Sequence, residues 1–593
     1  MGDTISGSSG SPSGYYANPA IYILASSGVP TITGFRIVYA QQAVYLLAAS
    51  LQFYNGQIVN CQNGFCGIDD ANGHIRNVLF STVQTNFNNL YTSSFDAQNA
   101  TFNSSAYLTT IDNVPYQTTA VNFKNCIMAN VTNIQSIFSY TNLGSYQVTG
   151  SYNGFYICPE FGTNAVTNSF YPFQTVGGGS YYLTNGCVFT NAGTANIDPI
   201  LLTNLQAKTT HCPIAYTNIT FTNAQIFNPQ ALRDTNATPD LGYHYDPLDY
   251  SFGGCIADSN ITFTAGTAVG WFRTSSGWYH AGYGIHMSAG VTVSFNGTVT
   301  APTYWVRLDT VQEQDLTAGY GPAGIDSWTD VNSPTVIGCF LKCSNLTDDN
   351  TRYFSDDYGH IVAQLTDCEF WTGTPGVYED YMYYTNCLMW RVGMWLDNGS
   401  PTSAFTLRNC TFLGGSFQIV RDSSGPTPVS VRDCAFDGTS ISTSDYWGSN
   451  TNYSDYDYNA YTNGMDPFSI GGAHDVIVTN GFNWQSSWFG NYYQSTNSPL
   501  LYKGNVLASQ LGLYHFTIQT NQVPDGTNVV SIGYHYVATD QYGNPLDSNG
   551  DGIPDYLEDA NGDGIYDTGD LGDWQNLNLN VIITRPRNGS LLP

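Results

Sequence analysis

Apolar and polar residues follow one six-residue pattern four times between residues 365 and 436. Each copy runs apolar, polar, Asn or Asp, Cys, a variable residue and a large apolar residue. The cysteines of the four copies, Cys368, Cys387, Cys410 and Cys434, are 19, 23 and 24 residues apart. Repeats of this length indicate a solenoid, because one short unit cannot bury its own apolar face without stacking on a neighbour.

Within each copy the apolar alternation predicts a β-strand interrupted by one turn residue. Leu407, Cys410 and Phe412 are the inward positions of the third copy, so the alternation skips one residue at Asn409. Asn and Asp tolerate left-handed backbone better than most residues, so one such residue can turn the chain. We therefore predict a right-handed parallel β-helix. The alternative is an antiparallel sandwich, which the absence of hairpin Asn-Gly or Asp-Gly pairs between the copies disfavours.

Two longer landmarks indicate a tandem duplication. Residues 241–245, which contain Gly-Tyr-His-Tyr, recur at 532–536 with an offset of 291. Residues 69–75, which begin Asp-Asp, recur at 356–361 with an offset of 287. Two nearly equal offsets predict two copies of one module, with a boundary near residue 250.

The predicted chain is all-β and has five segments. All 11 tryptophans lie at or beyond Trp271, which indicates that the two modules have diverged in use. The segments are a flexible lead-in at 1–19, a first β-helix module at 20–250, a second at 251–540, tandem calcium-binding repeats at 541–572, and a linker with the truncated start of an Ig-like domain at 573–593.

Composition narrows the range of partners. Asp and Glu outnumber Lys and Arg by 45 to 16, which gives a formal charge of −29. Such a surface repels nucleic acids and anionic membranes, so we expect cations as small partners and no nucleic acid. The sequence holds no run of 18 apolar residues, and we expect no membrane insertion. The chain opens without a signal peptide, but its polar, lysine-poor composition favours an extracellular or cell-surface location.

The 13 cysteines are expected to be mainly free thiols. Most occupy the repeated inward position, where Cys acts as a small apolar residue. Two pairs are close enough in sequence to be considered for bridges, Cys61 with Cys66 and Cys339 with Cys343. The chain has no Cys-x-x-Cys pair, so a zinc site built from cysteines is not expected.

Residues 547–558 have the ligand spacing of a 12-residue calcium loop, with oxygen-bearing side chains at positions 1, 3, 5, 9 and 12 and Gly552 at position 6. A second loop, 559–570, follows without a gap. It ends in Asp570, a shorter side chain than Glu, so we expect it to hold its ion more loosely. The predicted Ca²⁺ ligands are Asp547, Asn549, Asp551, Ile553 through its carbonyl, Asp555, Glu558, Asp559, Asn561, Asp563, Ile565 through its carbonyl, Asp567 and Asp570.

Because the loops abut, they lack the long helix that separates paired EF-hand loops. They resemble thrombospondin type 3 calcium repeats and the calcium loops of dockerins. The alternative is an acidic, disordered linker, which two consecutive matches to the spacing disfavour. The expected role is structural, since Ca²⁺ would neutralise crowded carboxylates and stiffen the chain.

A wider resemblance covers residues 240–593 well and the first module more loosely. The sequence is similar to large secreted proteins of the Verrucomicrobia type, which carry parallel β-helix repeats followed by calcium repeats and Ig-like domains. This resemblance implies the fold and the location and supplies no catalytic residues. The residues that carry it are 457–461, 472–476, 490–493, 497–499, 512–516, 532–536 and 543–547.

Many parallel β-helices cleave polysaccharides, so acid and base candidates need weighing. A lyase needs a base and a cation for the uronate, and an inverting hydrolase needs two carboxyl groups set apart by a water. The two Asp-Asp/His landmarks are the best constellation, one per module, although each is equally explained as a structural corner. The candidates are Asp69, Asp70 and His74, with their copies Asp356, Asp357 and His360. His244 and His535 are expected to be packing residues.

Aromatic residues suggest a different class, glycan binding without cleavage, because exposed rings can stack on sugar faces. The candidates are Trp271, Trp278, Trp371, Trp390, Trp395 and Trp447. The sequence therefore favours an extracellular, calcium-stiffened β-helical structural or adhesin-like protein, with glycan binding and self-assembly into filaments as further roles to consider. The alternative is a polysaccharide lyase or glycoside hydrolase of the β-helix type.

Overall fold

A computed structural model describes most of the chain. The described residues are 4–5, 14–25, 28–113, 118–139, 145–274, 284–314, 323–327, 329, 332–345, 352–356, 361–375, 381–397, 404–421, 428–445, 454–465, 468 and 472–576. Four candidate residues lie outside them, namely Asp357, His360, Trp278 and Trp447. The proposed Ig-like start lies outside them from residue 577 onward.

The chain divides into two compact units. Unit 1 comprises Met1–Val291, Thr303–Asp326 and Lys342–Ser355, and unit 2 comprises Thr292–Pro302, Ser327–Leu341 and Asp356–Pro593. The module boundary near residue 250 stays a prediction.

Almost all of the regular structure is strand, and parallel pairing dominates it. The first eighteen strands, β1 to β18, are Thr4–Ile5, Ile21–Leu24, Thr31–Thr33, Arg36–Val38, Gln42–Leu47, Ser50–Val59, Asn63–Ile68, Ala71–Ser81, Thr85–Leu90, Ser93–Gln98, Thr101–Asn113, Thr118–Lys124, Ile127–Ser139, Ser145–Ser151, Gly154–Tyr156, Val166–Thr167, Phe173–Val176 and Gly179–Leu183. In this part of unit 1, β1 to β16 form one sheet, and its strand pairs are parallel. For example, β6 pairs with β8, β8 with β10, β10 with β12 and β12 with β14.

A second stack begins later in the chain. Strands β19 to β32 are Ile214–Thr217, Thr220–Phe221, Gln225–Phe227, Tyr250–Gly253, Cys255–Ala257, Ile261–Phe263, Ala268–Phe272, Ile285–Met287, Thr292–Asn296, Thr303–Arg307, Ala323–Ser327, Thr335–Cys339, Leu341–Ser344 and Arg352–Asp356. In unit 1, β19, β22, β25 and β28 pair in parallel, and a neighbouring sheet has the order β20-β23-β26-β29-β32.

Successive turns of the chain build three parallel sheets in unit 2. Strands β33 to β50 are Val362–Thr366, Glu369–Trp371, Tyr381–Thr385, Leu388–Trp390, Gly393–Asp397, Ala404–Arg408, Thr411–Leu413, Ser416–Arg421, Val429–Arg432, Ala435–Asp437, Ser440–Asp445, Ser454–Asp457, Ala460–Thr462, Val476–Val478, Gln485–Ser487, Gly490–Tyr493, Phe516–Thr517 and Tyr536–Val537. Within unit 2, one sheet includes β27-β30-β33-β35-β38-β41-β44, the next includes β34-β36-β39-β42-β45-β46, and the third is β37-β40-β43. The prediction of stacked parallel strands is therefore confirmed.

The turn residue that the sequence predicts between strands is present in both units. Asp367, Asn386, Asn409 and Asp433 have φ angles of 57°, 52°, 50° and 59°, which is left-handed backbone. Each lies between two strands of one turn, so the chain changes direction there and the next residue points inward again. In unit 1, Asn77, Asn99 and Asn125 have φ angles of 52°, 50° and 53°.

In unit 2 the core contains columns of like residues. Cys368, Cys387, Cys410 and Cys434 are fully buried, and the Phe412 and Phe436 rings stack with centroids 4.9 Å apart. All 13 cysteines are free thiols, including the two pairs considered for bridges. Burial raises the pKa of Cys61 to about 11 and the pKa of Cys66 to about 12, which keeps both thiols protonated at neutral pH.

Helices are few and short among the described residues. Helix α1 spans Pro199–Gln206, where Asp198 caps the first turn by accepting the Ile200 N–H at 2.8 Å. Helix α2 spans Asp555–Glu558. The 3₁₀ turns Leu308–Thr310 and Ala508–Leu511 complete the set. No described helix has the length and apolarity needed to cross a membrane.

Candidate functional site

The Gly-Tyr-His-Tyr motif at 242–245 lies in a segment that forms hydrogen bonds to left-handed turn residues of the stacked strands. We call residues 234–245 the first strap and the turn residues Asn77, Asn99 and Asn125 the first ladder. The side-chain amides of Asn77 and Asn99 and the main-chain carbonyl of Asn125 bind the strap backbone, so the turns of the stack fix the course of the strap. The contacts are Asn77 Nδ2 to the His244 carbonyl (3.0 Å), the His244 N–H to Asn77 Oδ1 (2.7 Å), Asn99 Nδ2 to the Asp240 carbonyl (3.0 Å) and the Gly242 N–H to the Asn125 carbonyl (2.8 Å).

Unit 2 repeats this arrangement contact by contact. The second strap is residues 525–536, and the second ladder is Asn386, Asn409 and Asp433. The recurrence extends to a threonine in each stack, since Thr101 accepts the Tyr243 N–H at 2.9 Å and Thr411 accepts the Tyr534 N–H at 2.8 Å. The matching ladder contacts are Asn386 Nδ2 to the His535 carbonyl (2.9 Å), the His535 N–H to Asn386 Oδ1 (2.6 Å), Asn409 Nδ2 to the Ser531 carbonyl (2.9 Å) and the Gly533 N–H to the Asp433 carbonyl (2.8 Å).

The histidine of each strap is fully buried and held at both ring nitrogens. His244 Nδ1 lies 3.0 Å from the Gly242 carbonyl, and its Nε2 lies 2.8 Å from Asp234 Oδ2. His535 repeats this with the Gly533 carbonyl at 2.8 Å and Asp525 Oδ2 at 3.0 Å. Because a carbonyl only accepts, Nδ1 carries a proton in both rings. These histidines fasten the straps and do not face a cleft, which agrees with the packing role expected from the sequence.

An antiparallel hairpin packs beside each strap. β17 and β18 form it in unit 1, and β47 and β48 form it in unit 2. The Tyr182 ring packs at a tilt against Tyr245 with ring centroids 4.4 Å apart, and the Tyr493 ring stacks on Tyr536 with centroids 4.1 Å apart. The Tyr245 hydroxyl also donates to Glu313 at 2.7 Å, and burial raises the pKa of that carboxyl. The tyrosines of the motif thus serve packing in both copies.

The Asp-Asp/His landmark of unit 1 is an exposed corner. Asp69 and Asp70 are consecutive left-handed residues with φ angles of 57° and 62°, and both side chains are exposed. The Asp70 N–H donates to the Thr92 carbonyl at 2.6 Å. No hydrogen bond or ion pair among the described residues joins either carboxylate to His74. In the second copy Asp356 ends β32, and its side chain, with Asp357 and His360, lies outside the described residues.

His74 instead belongs to a polar column that sequence reasoning missed. The parallel register places Gln52 of β6, His74 of β8, Asp96 of β10, Asn122 of β12 and Thr149 of β14 side by side on the outward face. His74 and Thr149 are exposed, and the others are half-buried. Asn122 Nδ2 donates to Asp96 at 3.1 Å, and the Thr149 hydroxyl donates to Asn122 at 3.1 Å. Only the register reveals the column, because its members are 22 to 27 residues apart in sequence.

Arg76 lies next to the column and is engaged by the protein itself. Its guanidinium binds Asp96 Oδ2 at 2.6 Å and the Asp96 carbonyl at 2.7 Å. The Arg76 side chain is only 6% exposed, so it does not present a free positive charge to a ligand. Asp96 is the shared partner of Arg76, Gln98 and Asn122.

The four tryptophan candidates that lie within the described residues are buried or half-buried, which leaves less ring surface than sugar stacking requires. Trp271 is fully buried and packs on Trp305 with ring centroids 6.5 Å apart, so its proposed glycan contact is wrong for this fold. An apolar side chain in alternation points inward or outward with the register, and only the fold shows which. Trp371 and Trp390 are half-buried and contact each other at 5.4 Å, and Trp395 is also half-buried. Trp488, at 54% exposure, was not predicted.

The two predicted calcium loops have the same internal hydrogen bonds. In the first, Asp547 Oδ2 accepts the Gly552 N–H at 2.9 Å, and Asp551 Oδ1 accepts the Ile553 N–H at 2.8 Å. In the second, Asp559 Oδ2 accepts the Gly564 N–H at 2.7 Å, and Asp563 Oδ1 accepts the Ile565 N–H at 2.7 Å. The glycines at position 6 have φ angles of 93° and 81°. Both loops therefore curl around their position 1 carboxylates.

The last residue of each loop closes it. Glu558 accepts Asn549 Nδ2 at 3.0 and 3.2 Å, and Asp570 accepts the Ala560 N–H at 3.0 Å. Burial, followed by the charge of Asp551, raises the pKa of Glu558. Desolvation, followed by the charge of Asp570, raises the pKa of Asp567. The crowded carboxylates thus destabilise one another's charged forms, which a bound cation would reverse.

The second loop packs on its own unit. Asp559 Oδ2 lies 2.9 Å from His515 Nε2, and burial lowers the pKa of that histidine. The Tyr514 N–H donates to the Gly562 carbonyl at 3.1 Å. A Cβ on Gly564 would lie 2.3 Å from the Tyr514 ring, so glycine is needed for this close approach.

Comparisons with known proteins assign no family. No protein-family model matches the chain, and no curated protein matches it. Among solved structures, the chain is similar to a mutant of AlyGC, an alginate lyase of the PL6 family, with 8% sequence identity and a TM-score of 0.17. The match covers 75% of this chain and 78% of the lyase chain. At this TM-score the similarity carries no argument about function.

Proposed function

We propose that the chain is a right-handed parallel β-helix of two tandem modules followed by two calcium loops. The recurring strap supports the duplication, since each strap makes the same hydrogen bonds to its ladder. The right-handed sense follows from the strong preference of parallel strand–connection–strand units for that hand. Segment boundaries are proposed as the sequence gives them, and a member of the secreted Verrucomicrobia-type proteins would share this order.

We propose that its function is structural, as an extracellular, adhesin-like surface protein. The observation that carries this proposal is that the polar residues that recur in both copies bind the straps to the strands. His244 and His535, with Asp234 and Asp525, are engaged in fastening straps in both copies. Because these residues hold the straps in place in both copies, they make the folded chain rigid. A surface scaffold requires such rigidity.

Glycan binding is the interaction proposed for this scaffold. The polar column in unit 1 offers a carboxylate, amides, a hydroxyl and an imidazole in a row with the spacing of parallel strands, about 4.8 Å. Hydroxyl-rich chains suit such donors and acceptors. Self-association into filaments is a further variant of the same structural role.

A polysaccharide lyase or glycoside hydrolase is the second candidate, and one observation favours it. His74 is exposed on the column next to Asp96, so an imidazole base and a carboxylate share one outward face. Against it, Asp96 is already bound by Arg76 and Asn122, and no second free carboxylate faces His74 in the described contacts.

A glycan array and a depolymerisation screen distinguish the two candidates. The wild-type chain and a His74→Ala variant are compared, with Asn72→Ala as the matched control. Asn72 is exposed on the same strand and lies two residues from His74 on the same face. We expect binding without cleavage, weakened severalfold by His74→Ala and unchanged by Asn72→Ala. Cleavage that His74→Ala abolishes would show that this chain is an enzyme. If neither binding nor cleavage is detected, the structural role alone remains.

We also propose Ca²⁺ as the ion held by residues 547–570. The support is the ligand spacing of both loops and the matching turn geometry around Asp547 and Asp559. Loops with oxygen ligands at this spacing provide six to eight donors for Ca²⁺. Its test must separate specific binding from charge screening, because the chain carries a formal charge of −29.

A further inference from the structure

Among the positions at which the two straps differ, one replaces a buried carboxylate by a hydroxyl. Asp240 in the first strap corresponds to Ser531 in the second, at the same offset of 291 as the histidines. Their backbones behave alike, since the Asp240 N–H donates to Asp234 Oδ2 at 2.8 Å and the Ser531 N–H donates to Asp525 Oδ2 at 2.6 Å. The copies therefore compare a carboxylate with a hydroxyl in one environment.

The exchange leaves one oxygen without a partner. In the second strap the Ser531 hydroxyl donates to Asp525 Oδ1 at 3.1 Å. In the first strap a carboxylate stands there and cannot donate, and Asp234 Oδ1 is buried with no hydrogen-bond partner among the described residues. Because the matching oxygen of the second copy faces residue 531, the orphaned oxygen faces the Asp240 side chain. A buried acceptor left in this state is strongly unfavourable unless something occupies the space.

The burial of two carboxylates in the first strap points to the same site. Asp234, Asp240 and His244 are 5%, 2% and 0% exposed. Among the described residues, the Asp240 side chain accepts hydrogen bonds from two neutral groups, the Asn191 N–H at 2.7 Å and the Thr210 hydroxyl at 2.5 Å. The first cluster therefore places two buried carboxylates beside one imidazole, whereas the second places one carboxylate beside one imidazole. A second buried carboxylate with no positively charged partner is unfavourable unless a cation or a proton neutralises it.

We infer that Asp234, Asp240 and His244 form a binding site for a divalent cation of the zinc class. The His244 Nε2 and one oxygen from each carboxylate lie within 4.8 Å of one another. His244 Nδ1 donates to the Gly242 carbonyl, which leaves Nε2 as the ligand atom and fixes the ring, as in most histidine metal sites. One imidazole and two carboxylates suit Zn²⁺ or Mn²⁺, while Ca²⁺ requires more oxygens than this cluster offers.

The site would lock the first strap onto its stack. Asp234 begins the strap, and His244 binds Asn77 of the ladder through its main chain. A cation joining the two ends therefore closes the strap as a loop. Because the cluster is buried, the ion would be taken up as the strap folds, so metal binding would stabilise the folded chain.

Reciprocal substitutions between the copies test the inference. Asp240→Ser gives the first strap the chemistry of the second, and Ser531→Asp does the reverse. The full chain and both variants are loaded with ZnCl₂, passed through gel filtration and analysed for metal by mass spectrometry. Parallel loading with MnCl₂ and CaCl₂ establishes the class of ion. Metal bound by the calcium loops does not affect the comparison, because the loops are identical in all three chains.

We expect the wild type to retain one more zinc ion per chain than Asp240→Ser, and Ser531→Asp to retain one more than the wild type. Co²⁺ in place of Zn²⁺ gives an absorbance band that should follow the same order. Equal zinc in the wild type and Asp240→Ser would overturn the site, and a proton shared between the two carboxylates would then explain the orphaned oxygen. If Asp240→Ser fails to fold, as circular dichroism would reveal, the absence of extra zinc in folded Ser531→Asp would overturn it equally.

Discussion

At the residue scale, the left-handed turn positions show the most about how this sequence works. Asn supplies the turn and an amide that binds a strap, whereas Asp supplies the turn and a charge that must be buried. Asp367 is 7% exposed and accepts Asn386 Nδ2 at 2.6 Å. Burial raises its pKa to about 7, and that hydrogen bond lowers the pKa only in part. Asp433 follows the same rule, with a pKa raised to about 6.

Asp367→Asn should stabilise the protein in a pH-dependent way. The folded pKa lies above the unfolded value, so the wild-type carboxyl imposes no penalty below about pH 4, and the protein loses stability as pH rises to about 7. A pKa difference of one corresponds to about 1.4 kcal/mol, so we expect a gain on the order of 2–4 kcal/mol at pH 8. Thermal unfolding at pH 4 and pH 8 measures it.

The control for this prediction is Asp70→Asn, which changes an exposed left-handed aspartate. It should alter stability little at either pH. A gain for Asp367→Asn that is larger at pH 4 than at pH 8 would contradict the argument, because the amide could then not be relieving a buried charge.

Sequence reasoning found the residue type at these turns and missed what its amide does. The skipped alternation at Asn409 predicts the left-handed residue, because the inward positions can be counted along one strand. The partner of Asn409 is the Ser531 carbonyl, 122 residues away. No local pattern encodes such a contact. The same limit explains Trp271, whose inward orientation depends on a register that the sequence does not display.

At the element scale, the ladder and the strap form one mechanical unit. Each strap binds turn residues from three successive turns of the solenoid. It therefore links parallel strands in addition to the hydrogen bonds between their edges. Asn386 makes two of these bonds, to the N–H and the carbonyl of His535. The histidine also closes the strap on Asp525. The strap is therefore expected to unfold together with the stack.

Substitutions at Asn386 separate its two roles. Asn386→Gly keeps the left-handed turn and loses the two hydrogen bonds to the strap and the one to Asp367, which should cost about 2–4 kcal/mol. Asn386→Ala also strains the turn and should cost about 1–2 kcal/mol more. Chemical denaturation monitored by tryptophan fluorescence measures both.

Asn409→Gly is the matched control, since Asn409 gives the strap only one such bond. It should cost less than Asn386→Gly, because Asn386 makes two further hydrogen bonds worth about 0.5–1.5 kcal/mol each. Equal stability of Asn386→Gly and wild type would show that the strap does not depend on the ladder.

At the scale of the whole molecule, two kinds of electrostatics act at once. A formal charge of −29 makes the folded chain repel itself, so any added salt should raise stability by screening. Calcium bound at residues 547–570 would add a specific contribution. The sequence predicts both, since the charge is a matter of counting and the loop spacing is local. The docking of the second loop on Tyr514 and His515 was beyond sequence reasoning, because those residues precede the loops by more than 30 positions.

Calcium should therefore raise the unfolding temperature beyond what NaCl does at matched ionic strength. At a free Ca²⁺ concentration 100 times its Kd, mass action adds about 2.7 kcal/mol for one site. The raised pKa values of Glu558 and Asp567 set the pH dependence. Without calcium these carboxyls favour the folded state at low pH and oppose it as pH rises, so the calcium effect should be larger at pH 7.5 than at pH 4.5.

Two position-matched variants assign that effect to the loops. Glu558→Gln removes the closing carboxylate of the first loop, and Asp570→Asn removes that of the second, and each should lose part of the calcium increment while leaving the NaCl increment intact. Glu558→Gln should lose more, because the longer side chain of Glu is the better bidentate ligand. A calcium increment equal to that of NaCl in the wild type, or one that both variants keep in full, would reduce the ion's role to screening of a highly charged surface.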